Sequence, residues 1–157
     1  MQKPDKVRPE EKQMEISHTY KADVRWSGER RGSLSLDTKL NLEVSTPPEF
    51  GGPPGLVSPE DLFVAAAASC YLTTFLAMAD KARASFVSFS CKAEATLEKA
   101  EGKGLIFTSI VLRPKVGIAD LSEERSVVRA LELAKKYCLV TNSTISEVVL
   151  KPTVQVV

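Results

Sequence analysis

A chain of 157 residues with 43% hydrophobic and 26% charged side chains suits one soluble domain with a sizeable core. Basic and acidic residues nearly cancel, 21 against 20 with a net charge of +1, so no overall field recruits nucleic acid or an anionic membrane surface. Three cysteines, Cys70, Cys91 and Cys138, with no CxxC pair and a single histidine, exclude a secreted disulfide framework and argue against a thioredoxin-like motif or a zinc site.

Residues 1–14 are charged and contain prolines, so they are expected to form a mobile arm; they lack the apolar stretch of a secretory signal. The domain is then expected to occupy residues 15–157. "ISHTYKADVRW", "GSLSLD" and "LNLEVS" read as three strands of a meander, with "SGERRG" as the first hairpin connection. The four prolines and three glycines of "TPPEFGGPPGLVS" can hold neither ladder nor helix and predict a long rigid loop. Ser58 follows as an N-cap, with Pro59 at the first helical position and Asp61 completing a capping box. The helix is expected to run to about Arg83. Residues 62–79 are apolar or small on every side, which predicts a helix buried all round, with a second subunit covering part of it. That apolar run is judged too short and too Ala-rich for a membrane span, and the chain is expected to be cytoplasmic.

"FVSFSCKAEATLEK" alternates as a half-buried strand, and "AEGKG" turns it into "LIFTSIVLRPKV", expected to end near Pro114. Ser122 opens a second helix, "SEERSVVRALELAKKYC", with Val127, Val128 and Leu131 on its apolar side. "LVTNSTIS" leads to a last strand, "EVVLKPTVQVV". The predicted order is βββ-α-ββ-α-β, an α+β architecture.

Cys91 falls on the apolar face of its strand between Phe89 and Ala93, as expected of an inert, packed thiol. Cys70 and Cys138 are each tied to a helix and flanked by small polar residues, and composition leaves Cys70 open between core filler and nucleophile. A thiol reacts as thiolate and needs a cation nearby. "GERRG" supplies Arg30 and Arg31, and Glu60 or Glu49 could hold such a guanidinium; the same residues could equally be a solvated turn and a helix-dipole partner. Glu60 and Cys70 lie about 15 Å apart along one helix, so a site containing both needs a folded-back loop or a second subunit.

"STPPEFGG", "SPEDLFVAAAASCYLTTFLAMA" and "KKYCLVTNSTIS" together resemble the OsmC/Ohr family of thiol-dependent peroxidases over roughly residues 18–157. The resemblance implies an OsmC-like fold with a long buried central helix, in an intertwined homodimer whose two sites lie at the subunit interface. It also implies that Cys70 is the peroxidatic cysteine, Cys138 the resolving cysteine, Glu60 the glutamate of the helix start and Arg30 the activating arginine, with Arg31 adjacent. One departure is that Leu139 stands where the family has proline after the second cysteine.

The activity implied is reduction of organic hydroperoxides, with hydrogen peroxide as a further substrate, through a Cys70 sulfenic acid and a Cys70–Cys138 disulfide. An external dithiol, dihydrolipoamide or a lipoylated protein, would recycle the disulfide without metal, haem or flavin. Phe50, Phe63 and Tyr71 are expected to form an apolar pocket for the substrate. The alternative is an OsmC-like dimeric small-molecule-binding or stress-associated protein without peroxidase turnover. A thiol hydrolase has little support, since His18 is in the N-terminal strand region and forms no evident pair with a cysteine.

Overall fold

The structure, a computed structural model, describes residues 17–37 and 39–157. The expected arm at 1–14 lies outside the described residues. The first three strands, β1 (Asp23–Gly28), β2 (Arg31–Leu36) and β3 (Leu40–Ser45), form an antiparallel sheet in the order β1-β2-β3. Residues 17–22, expected to begin the first strand, form none. Register aligns Val24 with Leu34 and Leu34 with Leu42, and likewise Trp26 with Gly32 and Gly32 with Val44. One face is therefore apolar, while Arg25, Ser33 and Glu43 lie on the other.

The Pro/Gly loop is rigid for identifiable reasons. A single 3-10 turn at Pro48–Phe50 is closed by the Phe50 N–H donating to the Pro47 carbonyl at 3.0 Å. The far end is pinned where the Ser45 N–H donates to the Val57 carbonyl at 3.0 Å. Gly52 lies so close beneath Thr46 that a Cβ would sit 1.5 Å from the Thr46 carbonyl oxygen, so only glycine fits.

Helix α1 spans Pro59–Ala82, and its predicted capping box is present. The Asp61 N–H donates to Ser58 Oγ at 3.1 Å, and the Ser58 N–H donates to Asp61 Oδ2 at 2.9 Å. The helix stops at Arg83, which takes a left-handed conformation with φ of 52°. Strands β4 (Ser88–Ala100) and β5 (Gly104–Ile118) form a long antiparallel hairpin. A 3-10 turn at Leu121–Glu123 then leads into α2 (Glu124–Tyr137). Asp120, not Ser122, caps this start, its carboxylate accepting from the Ser122 N–H at 2.8 Å. A four-residue helix, α3 (Leu139–Asn142), follows where a plain connection was expected.

The single predicted last strand is two, β6 (Glu147–Leu150) and β7 (Thr153–Val156), both parallel to β5. The interruption explains why β5 runs through Pro114 instead of ending there. β6 pairs with residues 109–112 of β5 and β7 with 115–118, so Pro114 falls in the gap between them, where no parallel neighbour asks for its missing N–H.

The core lies between this sheet and the helices. Tyr71, Phe75, Ile110, Leu112, Val127 and Leu131 are completely buried. Phe75 stacks on Phe89 at 4.7 Å between ring centroids, and the Tyr71 hydroxyl donates to the Leu131 carbonyl in α2 at 3.0 Å. Within one chain α1 is not buried all round. α2 and the sheet cover one side only, leaving Leu72 36% and Leu76 42% exposed on the other. At 24 residues, with mean hydropathy 1.8 over its most apolar window, the helix is also long and apolar enough by composition to cross a membrane, against the expectation drawn from residues 62–79 alone.

Candidate functional site

Cys70 sits in the middle of α1, half-buried, and Cys138 sits completely buried at the corner between α2 and α3. The packing of α1 against α2 brings these two free thiols together across 68 positions of sequence. At the corner the chain leaves the helical conformation for one residue, with Cys138 at φ −64° and ψ 114°, and resumes it at Leu139. The Val140 N–H then points back and donates to Cys70 Sγ at 3.5 Å. Thr74, one turn beyond Cys70, places Oγ1 4.0 Å from the same sulfur while donating to the Cys70 carbonyl at 2.8 Å.

The two thiols are electrostatically unequal. Burial pushes the Cys70 thiol up. Hydrogen bonds from the Val140 amide, the Cys138 thiol, Thr74 and the Leu139 amide favour its ionised form and outweigh burial, leaving Cys70 below the ordinary thiol value. Cys138 lies above that value because it is buried and because a thiolate at Cys70 disfavours a second charge, although bonds involving Thr141 pull it back in part. This division suits a nucleophile and a partner thiol that stays protonated. Cys91 is separate: it packs against the core from β4, as expected, and burial pushes it up against an opposing hydrogen bond from Arg113.

Arg30 and Glu60 both belong to the N-terminal end of α1, away from Cys70 within one chain. Arg30 is held at the tip of the first hairpin: its carbonyl accepts from the Thr46 N–H at 3.1 Å and from Ser45 Oγ at 3.0 Å. Its guanidinium lies against Gly51 and donates to the Phe50 carbonyl at 3.2 Å. It borders the same surface hollow as Pro59, the first residue of α1. Glu60 is next along the helix, and its Oε2 is shielded from solvent without a hydrogen-bond partner, which a buried carboxylate oxygen seldom tolerates. Arg31 instead points across the polar sheet face to Glu43, 3.6 Å away and well exposed. Among the described residues no arginine acts on the Cys70 sulfur.

Of the four expected site residues, the structure thus brings Cys70 to Cys138 and Arg30 to the Glu60 end of α1, and keeps the two pairs apart. The three aromatics of the expected pocket have separate surroundings within one chain. Phe50 lies by Arg30, Phe63 stacks on Phe107 at 4.5 Å, and Tyr71 is in the core. Sequence reasoning missed Thr74 and the Val140 amide. The i, i+4 spacing of Cys70 and Thr74 would have revealed the first; the second depends on a backbone group and leaves no signal in residue type.

Residues 52–153 match the family model described as OsmC-like protein. The chain is 26% identical over 122 residues to the uncharacterized protein YmaD of Bacillus subtilis, covering 76% of this chain and 79% of that one. Among solved structures it resembles an OsmC-like protein of unknown function from Vibrio cholerae, with TM-score 0.78, 26% identity and 87% and 99% of the two chains covered. It also resembles an organic hydroperoxide resistance protein OsmC, a predicted redox protein, from Legionella pneumophila, with TM-score 0.68, 25% identity and coverage of 89% and 98%.

Proposed function

The chain belongs to the OsmC-like protein family, and on that premise we propose that it is a thiol-dependent peroxidase acting on organic hydroperoxides. The observation that carries this reading is that two free thiols, Cys70 and Cys138, meet where α1 packs on α2, with the Val140 amide donating to Cys70 Sγ at 3.5 Å. The Cys70 thiolate attacks the distal oxygen of the hydroperoxide; the O–O bond breaks, and the alkoxide takes a proton and leaves as an alcohol. Cys70 is then a sulfenic acid. The Cys138 sulfur attacks it, the S–O bond breaks, and water leaves as the Cys70–Cys138 disulfide forms. An external dithiol such as dihydrolipoamide or a lipoylated protein restores both thiols and is itself oxidised to a disulfide.

The working unit in this proposal is a cytoplasmic homodimer. Three features support it: the exposed Leu72 and Leu76 on an apolar helix, a Glu60 Oε2 with no partner among the described residues, and an Arg30 held by Phe50 beside the start of α1. A second copy would cover the helix and bring Arg30 and Glu60 toward a Cys70.

The competing reading, a dimeric binding or stress-associated protein without turnover, draws on one observation, that among the described residues of the chain no cation acts on Cys70. One experiment separates the two. With cumene hydroperoxide and dihydrolipoamide, the peroxidase consumes peroxide, forms a Cys70–Cys138 disulfide with Cys91 still titratable, and loses activity in Cys70→Ser. Consumption unaffected by Cys70→Ser, or no consumption by the wild type, rejects the peroxidase reading.

A further inference from the structure

Among the described residues no arginine stands beside the Cys70 sulfur, yet its surroundings favour the thiolate. The donors come from the corner that carries Cys138. Because Cys138 is extended, the amides of Leu139 and Val140 cannot be satisfied by the end of α2, and the Val140 N–H is spent on Cys70 Sγ at 3.5 Å. The corner is braced from three sides. Asn142 Nδ2 donates to the Lys136 carbonyl at the end of α2 at 2.8 Å, the buried Thr141 hydroxyl donates to the Cys138 carbonyl at 3.3 Å, and the Asn142 N–H donates to the same carbonyl at 3.0 Å. Thr74 is the more distant contact, its Oγ1 4.0 Å from the sulfur and also donating to the Cys70 carbonyl.

We propose that the backbone amide of Val140 holds the Cys70 thiolate from within the same chain, with Asn142 as the positioning residue, so that reactivity at Cys70 depends on the corner after Cys138 keeping that N–H aimed at the sulfur. The physical basis is the difference between protonation states. A hydrogen bond to ionised sulfur is stronger than one to a thiol, and a backbone donor fixed by its neighbours loses no side-chain entropy in making it. Among the described residues, the groups acting on the sulfur from α1, α2 and α3 are Thr74, Cys138, Leu139 and Val140, and of these Cys138 alone titrates. Since Cys138 lies above the ordinary thiol value, it stays protonated while Cys70 ionises. The inference rests on Cys70 being the reacting thiol but requires no peroxide turnover.

Val140→Pro is the direct test: it deletes the N–H that reaches Cys70 Sγ, in the first turn of α3, where amides have no carbonyl of their own helix to meet. The readout is the pH dependence of Cys70 alkylation by iodoacetamide, followed by mass on the Cys70 peptide of the full chain. Val140→Pro and Asn142→Ala should raise the midpoint and slow alkylation at pH 7 by about three- to tenfold, the fall expected for half to one unit of acidity. Val140→Ala retains the amide and should keep the wild-type midpoint. A wild-type midpoint in folded Val140→Pro overturns the proposal; if Val140→Pro does not fold, a wild-type midpoint in Asn142→Ala overturns it. Midpoint shifts in a protein that consumes no peroxide would sink the peroxidase reading and leave this inference standing. Peroxide turnover with unmoved midpoints would do the reverse.

Discussion

Val140 reaches across 70 residues of sequence to donate its amide hydrogen to Cys70 Sγ at 3.5 Å, and this contact joins the middle of α1 to the corner after α2. It makes the two halves of the candidate site interdependent, since whatever moves the corner moves both the partner thiol and a donor to the nucleophile.

The three cysteines should separate by acidity. Thiolate fraction rises with pH, so a lowered thiol reaches half-maximal alkylation below the pH of a free cysteine, about 8.5, and raised thiols above it. Cys70 should therefore react first as pH increases, with Cys138 and Cys91 later. Peptide-resolved alkylation from pH 6 to 10 measures the order; Cys91 modified before Cys70 would contradict it.

The two adjacent arginines should behave differently. Arg30 is braced by Thr46, Ser45 and Phe50, whereas Arg31 makes a 3.6 Å contact with Glu43 in solvent. Arg30→Ala should lower kcat/KM for cumene hydroperoxide by about 10²-fold or more, the scale of losing electrostatic stabilisation at a reacting centre. Arg31→Ala should leave it within about threefold, because exposed ion pairs contribute about 0–1 kcal/mol. A larger loss in Arg31→Ala reverses the assignment.

The exposed stripe of α1 should be a subunit contact. Leu76→Asp places a charge where Leu72 and Leu76 now face outward. In a monomer that exchange is nearly free, whereas at a buried interface it costs several kcal/mol. Light scattering should show wild type at the mass of two chains and Leu76→Asp at that of one. Wild type at the mass of one chain would remove the dimeric site.

Gly52 and Gly55 should differ although both belong to the same loop. Alanine at 52 would collide with the Thr46 carbonyl, while Gly55 has open space around it and only a left-handed φ of 84°. Gly52→Ala should cost more than about 2 kcal/mol and loosen the support of Arg30; Gly55→Ala should cost about 1–2 kcal/mol. Urea unfolding midpoints at unchanged m-value test the ranking, and equal losses would count against the close approach at Thr46 as its cause.

The capping box predicts a pH-dependent loss. Ser58→Ala removes the acceptor for the Asp61 N–H and should cost about 1 kcal/mol. The Ser58 backbone N–H and then its hydroxyl hold the Asp61 carboxyl below its ordinary value, against a small opposing effect of burial. A lowered folded-state value means stabilisation that is present above the unfolded value and lost as pH falls through the folded one. The melting difference between Ser58→Ala and wild type should therefore narrow from pH 7 to pH 3, and a gap that widens would locate the effect elsewhere.

What the residues determine by themselves is local. Ser58, Pro59 and Asp61 announce the start of α1, alternation around Cys91 assigns its face, and the prolines and glycines of 46–58 mark the loop, because caps, periodicity and turn chemistry act over a few residues. The family resemblance singles out Cys70 and Cys138 in the same way, from short motifs. Only the tertiary structure decides what those residues meet. Pro114 stays inside β5 because two separate strands leave it a gap. The helix predicted to be buried all round is covered on one side only, because apolar composition says that burial is favourable and nothing about which surface supplies it. Cys70 meets Cys138 and the Val140 amide because α1 packs on α2, while Arg30 and Glu60 are left at the other end of the helix. A backbone N–H belongs to every residue but proline, so no sequence pattern marks the one whose direction, set by packing, makes it a partner for sulfur.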